Sequence, residues 1–320
     1  MKIDLTTQPE QKHGVQALAC VLALPDRLKP ELHALGRQLW RKLRVVAKTI
    51  LFLALTLGGT FVWLTGAACL AVARTAQQRW RGIAFRYWAK ALVRLFGLQL
   101  QVSGPPPAAP FMLVANHLSY VDVIVLAAQF DCVFVAKSEI AAWPLIGWLS
   151  RCMNTIFIDR NRKRDLLRVN ALLTKALAAG QNVVLFPEGT TTTGAAVLPF
   201  KPGLLEPAVR AGRRVAYASL SYRTAPDEAP ASAAVCWWGD MEFVPHLLKL
   251  FALPGFAGAL VFGNEALHAN DRKTLAKHLH AAVERDLAMA RNLAGQTLVR
   301  VEWRFVSAPP IGSVSEMIEQ

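Results

Sequence analysis

Residues 111–122 read FMLVANHLSYVD, and the state of the chain along this stretch decides how the rest is assembled. The run FMLVA (111–115) is short and continuously apolar, as a buried strand requires. Ser119 with Asp122 three residues on matches a capping box, which predicts a helix over 119–130. His117 and Asp122 stand five residues apart. In a helix that spacing turns through about 500°, so the side chains share no face; in a strand they point to opposite sides. They can meet only if the chain passes from strand through turn to helix between them. Asn116 and His117 then lie at the carboxyl end of a strand, where open α/β sheets place their sites. A carboxylate on one imidazole nitrogen fixes the tautomer and leaves the other nitrogen as a base. It also stabilises the imidazolium formed when a proton is taken. The competing reading is a turn histidine beside a capping aspartate, with no chemistry.

Outward from this unit, apolar runs alternate with helical patterns. CVFVAK (132–137), TIFID (155–159), NVVLF (182–186) and RVAYASLSY (214–222) read as strands, with further strands expected at 233–238, 258–262 and 298–306. Helices are expected at 144–151, at 163–179 and at about 271–292; in the second, Leu166, Leu167, Leu173 and Leu177 keep the helical period and Gly180 ends it. Strands alternating with helices predict a layered α/β domain with a mainly parallel or mixed sheet, placed at 105–320.

Ahead of that domain the chain is of another kind. Residues 49–73 carry no charge, which meets the length criterion for a membrane helix. The expected division is an N-terminal segment (1–45), a membrane helix or re-entrant hairpin (46–74) that Gly58-Gly59 could bend, and a basic amphipathic helix with a linker (75–104). Basic residues flank the apolar run on both sides, as would be natural if both ends stay in the cytoplasm, so the positive-inside rule chooses no single orientation. The chain carries 36 Lys and Arg against 22 Asp and Glu, a net +14, and its mean hydropathy is +0.30. That combination points to an anionic membrane surface, not to nucleic acid. The expectation is attachment to the inner or cell membrane with the α/β domain facing the cytoplasm. The five cysteines form no CxxC or Cys/His cluster and read as reduced and structural.

A second signal, FPEGTTTTG (186–194), follows the strand NVVLF directly. Pro187 ends the strand, Glu188 offers a carboxylate, and Gly189 lets backbone N–H groups approach a ligand closely. It is no Walker loop, since Gly-Lys-Ser/Thr is missing. HExxH, CxxC, GxGxxG and the GxSxG elbow are absent as well, so neither a metal nor a nucleotide cofactor nor a serine hydrolase route is indicated.

Together, NHLSYVD and FPEGT at this separation resemble the phospholipid/glycerol acyltransferase family, which includes the 1-acylglycerol-3-phosphate acyltransferases, over roughly residues 90–265. FVAKSE (134–139) with Pro144 and Gly147, IFIDR (156–160) and LPFKPGLLEPA (198–208) fall in the family's order. The resemblance implies a glycerolipid-acyltransferase-like domain. It also implies one-step acyl transfer from acyl-CoA or acyl carrier protein to the free hydroxyl of a lysolipid, with no metal and no cofactor beyond the donor. In that reading His117 and Asp122 are the catalytic pair, the histidine taking the hydroxyl proton and the aspartate orienting it. Arg160 holds an anionic head group. Asn116, Glu188, Gly189, Thr190, Lys137 and Lys201 contribute to substrate binding, and the Gly189 backbone and the turn at Asn116 offer N–H donors to the carbonyl oxygen.

The pattern departs from the family in two places. Thr191 stands where FPEGT is usually followed by arginine, and YASL (217–220) lacks the proline of a later motif. Lysophosphatidic acid, giving phosphatidic acid, is the first expected acceptor. Lyso-ornithine lipid is the second, because relatives that acylate it often carry threonines after FPEG. A catalytically inactive lipid-binding protein is the reading from another class, and the intact Asn116, His117, Asp122 and Glu188 speak against it. WWGDMEFVPHLLKLF (237–251) reads as an acyl-chain wall or a membrane-facing surface. His246, His268, His278 and His280 read as structural or surface residues.

Overall fold

The computed structural model describes residues 29–296 apart from Lys163. The strand expected at 298–306, and Cys20, lie outside them. Lys29–Cys69 is one helix, α1, and α2 (Arg74–Phe96) returns along it after a short turn. Gly58-Gly59 does not break α1. A glycine costs a helix only about 1 kcal/mol relative to alanine, and Gly59 and Gly66 on this helix serve close packing instead. A Cβ on Gly59 would come within 3.3 Å of the Trp88 ring, and one on Gly66 within 2.1 Å of Trp80 Nε1. Across the same seam Trp80 Nε1 donates to the Trp63 carbonyl at 3.1 Å and Trp88 Nε1 to Thr56 Oγ1 at 3.3 Å. The hairpin therefore turns at 70–73, between α1 and α2.

From Ala34 to Cys69, α1 is long and apolar enough to cross a membrane, and 11% of its most apolar stretch is buried. Its earlier part is tied to the domain. Lys48 Nζ donates to the Phe96 and Leu253 carbonyls at 3.3 and 2.8 Å, and Arg44 to the Ala252 carbonyl at 2.8 Å. These carbonyls end α2 and α8 (Phe243–Ala252), where the helix dipole favours a cation. Two of the basic residues that precede the apolar run are thus docking contacts as well as charges.

The strands are β1 (Leu98–Ser103), β2 (Met112–Ala115), β3 (Cys132–Lys137), β4 (Ile156–Ile158), β5 (Asn182–Leu185), β6 (Ala216–Arg223) and β7 (Phe256–Phe262). They form one seven-stranded mixed sheet in the order β1-β7-β6-β2-β5-β3-β4, parallel at every pairing except β6 with β7. The continuous apolar run of β2 follows from its central place. Leu113 and Ala115 enter one core with α2, α3 (Tyr120–Gln129) and α8, while Met112 and Val114 enter the other, with α5 (Asp165–Ala178) and α9 (Arg272–Gln296). The short helices α4 (Ile146–Cys152), α6 (Glu206–Arg210) and α7 (Ala231–Ala234) complete the covering.

Two expectations change. The strand expected at 233–238 is α7 followed by irregular chain: the alanines of ASAA favour helix once Pro230 has set the entry. Conversely β1 lies where a linker was expected. LQLQV alternates as a strand should, with Leu98 and Leu100 buried and Gln99 exposed, but Gly97 in the left-handed conformation (φ 73°) joins it to α2 without a loop.

Candidate active site

Between the end of β2 and the start of α3 the chain makes a four-residue turn, and Asp122 gathers most of its polar groups. His117 Nδ1 lies 2.8 Å from Asp122 Oδ2. The same oxygen accepts the N–H groups of Leu118 and Ser119 at 2.6 and 2.9 Å. Oδ1 accepts the Tyr222 hydroxyl at 2.8 Å. Asp122 is fully buried, whereas the His117 side chain keeps 19% exposure. Phe186 stacks on the imidazole with centroids 3.9 Å apart. With Nδ1 committed to the carboxylate, Nε2 is the nitrogen left for chemistry.

The FPEGT turn after β5 is laced to this one. Glu188 Oε1 accepts the His117 N–H at 2.6 Å and Oε2 the Leu198 N–H at 2.8 Å, and Thr192 N–H donates to the His117 carbonyl at 2.9 Å. Burial raises the Glu188 carboxyl above the usual range, and its two N–H donors pull the other way. Gly189 sits at φ 73°, and a Cβ there would also come within 3.0 Å of Lys201 Nζ, so the position favours glycine twice over.

His117 opens onto a cavity of about 440 Å³ with two kinds of wall. Phe52 of α1, with Trp88 and Leu92 of α2, makes part of it apolar, and Lys137, Glu139, Arg160, Thr190 and Thr191 make another part polar. Lys137 Nζ pairs with Glu139 Oε1 at 2.9 Å, and the hydrogen bond from Lys137 is the main cause holding the Glu139 carboxyl down at about 2. Arg160 donates to the Gly189 carbonyl. Burial lowers its guanidinium, and the nearby Glu139 charge opposes that.

The residues singled out in the sequence separate into two groups. His117, Lys137, Arg160, Gly189 and Thr190 line the cavity. Asn116, Asp122 and Glu188 are buried behind it, and Lys201 is exposed. Direct substrate contact by the Asn116 side chain is corrected: both of its polar atoms are taken by Leu220, at 2.9 Å to the carbonyl and 2.7 Å from the N–H. Glu188 likewise spends both oxygens on backbone and holds turns, not ligand. The N–H donors assigned to the carbonyl oxygen are also engaged, Gly189 with the Phe186 carbonyl at 3.0 Å and the turn after Asn116 with Glu188 and Asp122. Sequence reasoning missed Tyr222, Phe186 and Leu198. Phe186 is the first residue of the second motif and could have been suspected as its strand end; nothing local marks the other two. Trp237, Phe243 and Leu247 join the cavity wall, while Trp238, Val244 and Leu248 face outward. His246 is buried between the Tyr120 hydroxyl (3.1 Å) and the Cys236 carbonyl (3.0 Å), a packing role.

A histidine–aspartate pair thus stands at the carboxyl end of a central strand of an α/β sheet and opens on a half-apolar cavity. Residues 99–221 match the family model described as Acyltransferase, and the chain belongs to that family. It is 37% identical over 165 residues to the lyso-ornithine lipid O-acyltransferase of Pseudomonas aeruginosa, covering 52% of this chain and 62% of that one. It is 35% identical over 170 residues to the 1-acyl-sn-glycerol-3-phosphate acyltransferase of Neisseria gonorrhoeae, covering 50% and 67%. The fold is that of the crystal structure of the 1-acyl-sn-glycerophosphate acyltransferase of Thermotoga maritima, with a TM-score of 0.61 at 20% identity over 83% of this chain and all of the other.

Proposed function

We propose that the protein is a membrane-attached lysolipid O-acyltransferase. The observation that carries the reading is the His117–Asp122 pair facing a cavity lined both by apolar residues of α1 and α2 and by Arg160. A lysolipid has the same two characters, a chain and a charged head. His117 Nε2 takes the proton of the free hydroxyl as its oxygen attacks the thioester carbonyl of acyl-CoA or acyl carrier protein. Asp122 keeps the ring in the required tautomer and balances the imidazolium. The carbonyl oxygen becomes negative in the tetrahedral intermediate and needs N–H donors. That task falls in this reading to the backbone of Thr190 and Thr191, which line the cavity just past Gly189. The C–S bond then breaks, the imidazolium returns its proton to the leaving thiolate, and the new ester departs. No metal or further cofactor takes part.

The acceptor's anionic head is assigned to Arg160, with Lys137 beside it, since a guanidinium suits phosphate or carboxylate bidentately. Lysophosphatidic acid, giving phosphatidic acid, is the first reading. Thr191 in the cavity wall favours a second, lyso-ornithine lipid, because a threonine supplies no charge for a phosphate. The net +14 and the basic helix α2 suit an anionic membrane surface, with the α/β domain on the cytoplasmic side. The test offers lysophosphatidic acid and lyso-ornithine lipid side by side to membranes containing the protein, with both classes of donor. His117→Ala is expected to lose about 10²–10⁴-fold of the transfer. Transfer that survives this change would remove the histidine from the reaction. Transfer to lyso-ornithine lipid alone would select the second acceptor.

A further inference from the structure

The two oxygens of Asp122 are served unequally. Oδ2 takes its three partners, His117, Leu118 and Ser119, from its own strand–turn–helix unit. Oδ1 takes one, the Tyr222 hydroxyl on β6, 100 residues further along the chain. The carboxylate torsion of an aspartate is broad and nearly two-fold. A carboxylate held through one oxygen can therefore rock about that contact, and the imidazole opposite would rock with it. A donor on the second oxygen closes this freedom. The same strand holds the other end of the turn, because Leu220 binds both polar atoms of Asn116. Residues 220 and 222 of β6 thus fix the two ends of NHLSYVD.

We propose that Tyr222 is a positioning residue for the His117–Asp122 pair: its hydroxyl holds the carboxylate oxygen that the turn leaves over, and so sets both the plane and the charge that the imidazole meets. Burial and the neighbouring Asp122 charge both push the Tyr222 phenol well up, so it remains a protonated donor. Its hydrogen bond spreads part of the carboxylate charge. Without that bond the charge returns to Asp122 and favours the imidazolium, so the His117 ring should titrate at higher pH. The other titratable groups around the pair are Glu188 after β5, Cys236 after α7, and Arg160 and Lys137 along the cavity.

Tyr222→Phe keeps the ring packed edge-on against Phe256 and deletes only the oxygen. Tyr217→Phe is the control: it removes a hydroxyl from the other face of β6, one bonded to Arg285 at 2.9 Å. The first measurement is an NMR titration of labelled histidine in the full chain in detergent, with the His117 signal assigned by its absence in His117→Ala. The midpoint should rise by about half a pH unit or more in Tyr222→Phe and stay put in Tyr217→Phe. The second is acyl transfer, for which this inference rests on the function proposed above. Tyr222→Phe should lower kcat roughly tenfold, about one hydrogen bond's worth, with KM changed less than about twofold. In an Asp122→Asn background the same change should cost nothing further. An unmoved midpoint overturns the proposal. So does an equal loss in the wild-type and Asp122→Asn backgrounds, which would place the effect in folding. A midpoint that rises while even the wild-type protein transfers no acyl group supports the placement of Tyr222 and sinks the acyl-transfer reading instead.

Discussion

Glu188 accepts one N–H from the turn carrying His117 and another from Leu198, ten residues beyond it, so a single carboxylate joins the two motifs that the sequence brings to notice separately. Glu188→Gln leaves one of those N–H groups facing an amide N–H, at a cost of about 1–3 kcal/mol. It also removes a titration. The Glu188 carboxyl is raised above its ordinary 4.5 mainly by burial. The native state therefore holds the proton more tightly than the unfolded chain does. The stability this group contributes is complete below 4.5 and is lost as pH rises through the folded value. Thermal unfolding from pH 4.5 to 7 should give the Gln variant a lower melting temperature and a flatter decline than the wild type. Parallel curves would mean that Glu188 titrates alike in both states. At this scale the sequence is an uneven guide. Asp122 could be placed from Ser119 because a capping box is local, and His117 followed from the turn. The Tyr222 contact spans 100 residues and leaves no spacing to read. The separation of lining residues from buried supports, Arg160 from Asn116, is a fact of packing that residue type does not carry.

Among the elements, most strands and helices were legible because hydrophobic period and caps agree, as in β2–α3 and in α5. Where they failed, two local signals competed. Alanines beat an apolar run at 231–238, and a helix ran into β1 through one glycine with no loop to announce the change. The glycines of α1 are the sharpest case, since composition alone makes Gly58, Gly59 and Gly66 look alike. A Cβ on Gly58 meets nothing within 4 Å, whereas one on Gly66 would lie 2.1 Å from Trp80 Nε1. Gly58→Ala should therefore stabilise by up to about 1 kcal/mol, the helix-propensity gain. Gly66→Ala earns the same gain but must displace the indole that seals the α1–α2 seam, and should lower the melting temperature in detergent. The two substitutions are expected to have opposite signs. A rise in both would show that α2 does not pack on α1 through Trp80.

For the molecule as a whole, charge and hydropathy point to the same surface by different forces. Screening at 1 M salt, where the Debye length falls to about 3 Å, removes the attraction of +14 for anionic lipid but leaves the burial of apolar surface. Flotation with anionic vesicles should therefore retain the protein after a high-salt wash, and vesicles of neutral lipid should bind it too. Release by salt would mean that α1 does not enter the lipid. The fold class and the apolar segment were legible in the sequence, but their relation was not, because it rests on Lys48 and Arg44 reaching carbonyls some 200 residues away. Those contacts make the anchor and the α/β domain one structure, with Phe52 of the first and Phe134 of the second lining one cavity. Trimming away α1 to obtain a water-soluble enzyme would thus remove a side of the reaction vessel. What remained would hold its histidine in place and let bulk water into the cavity beside it.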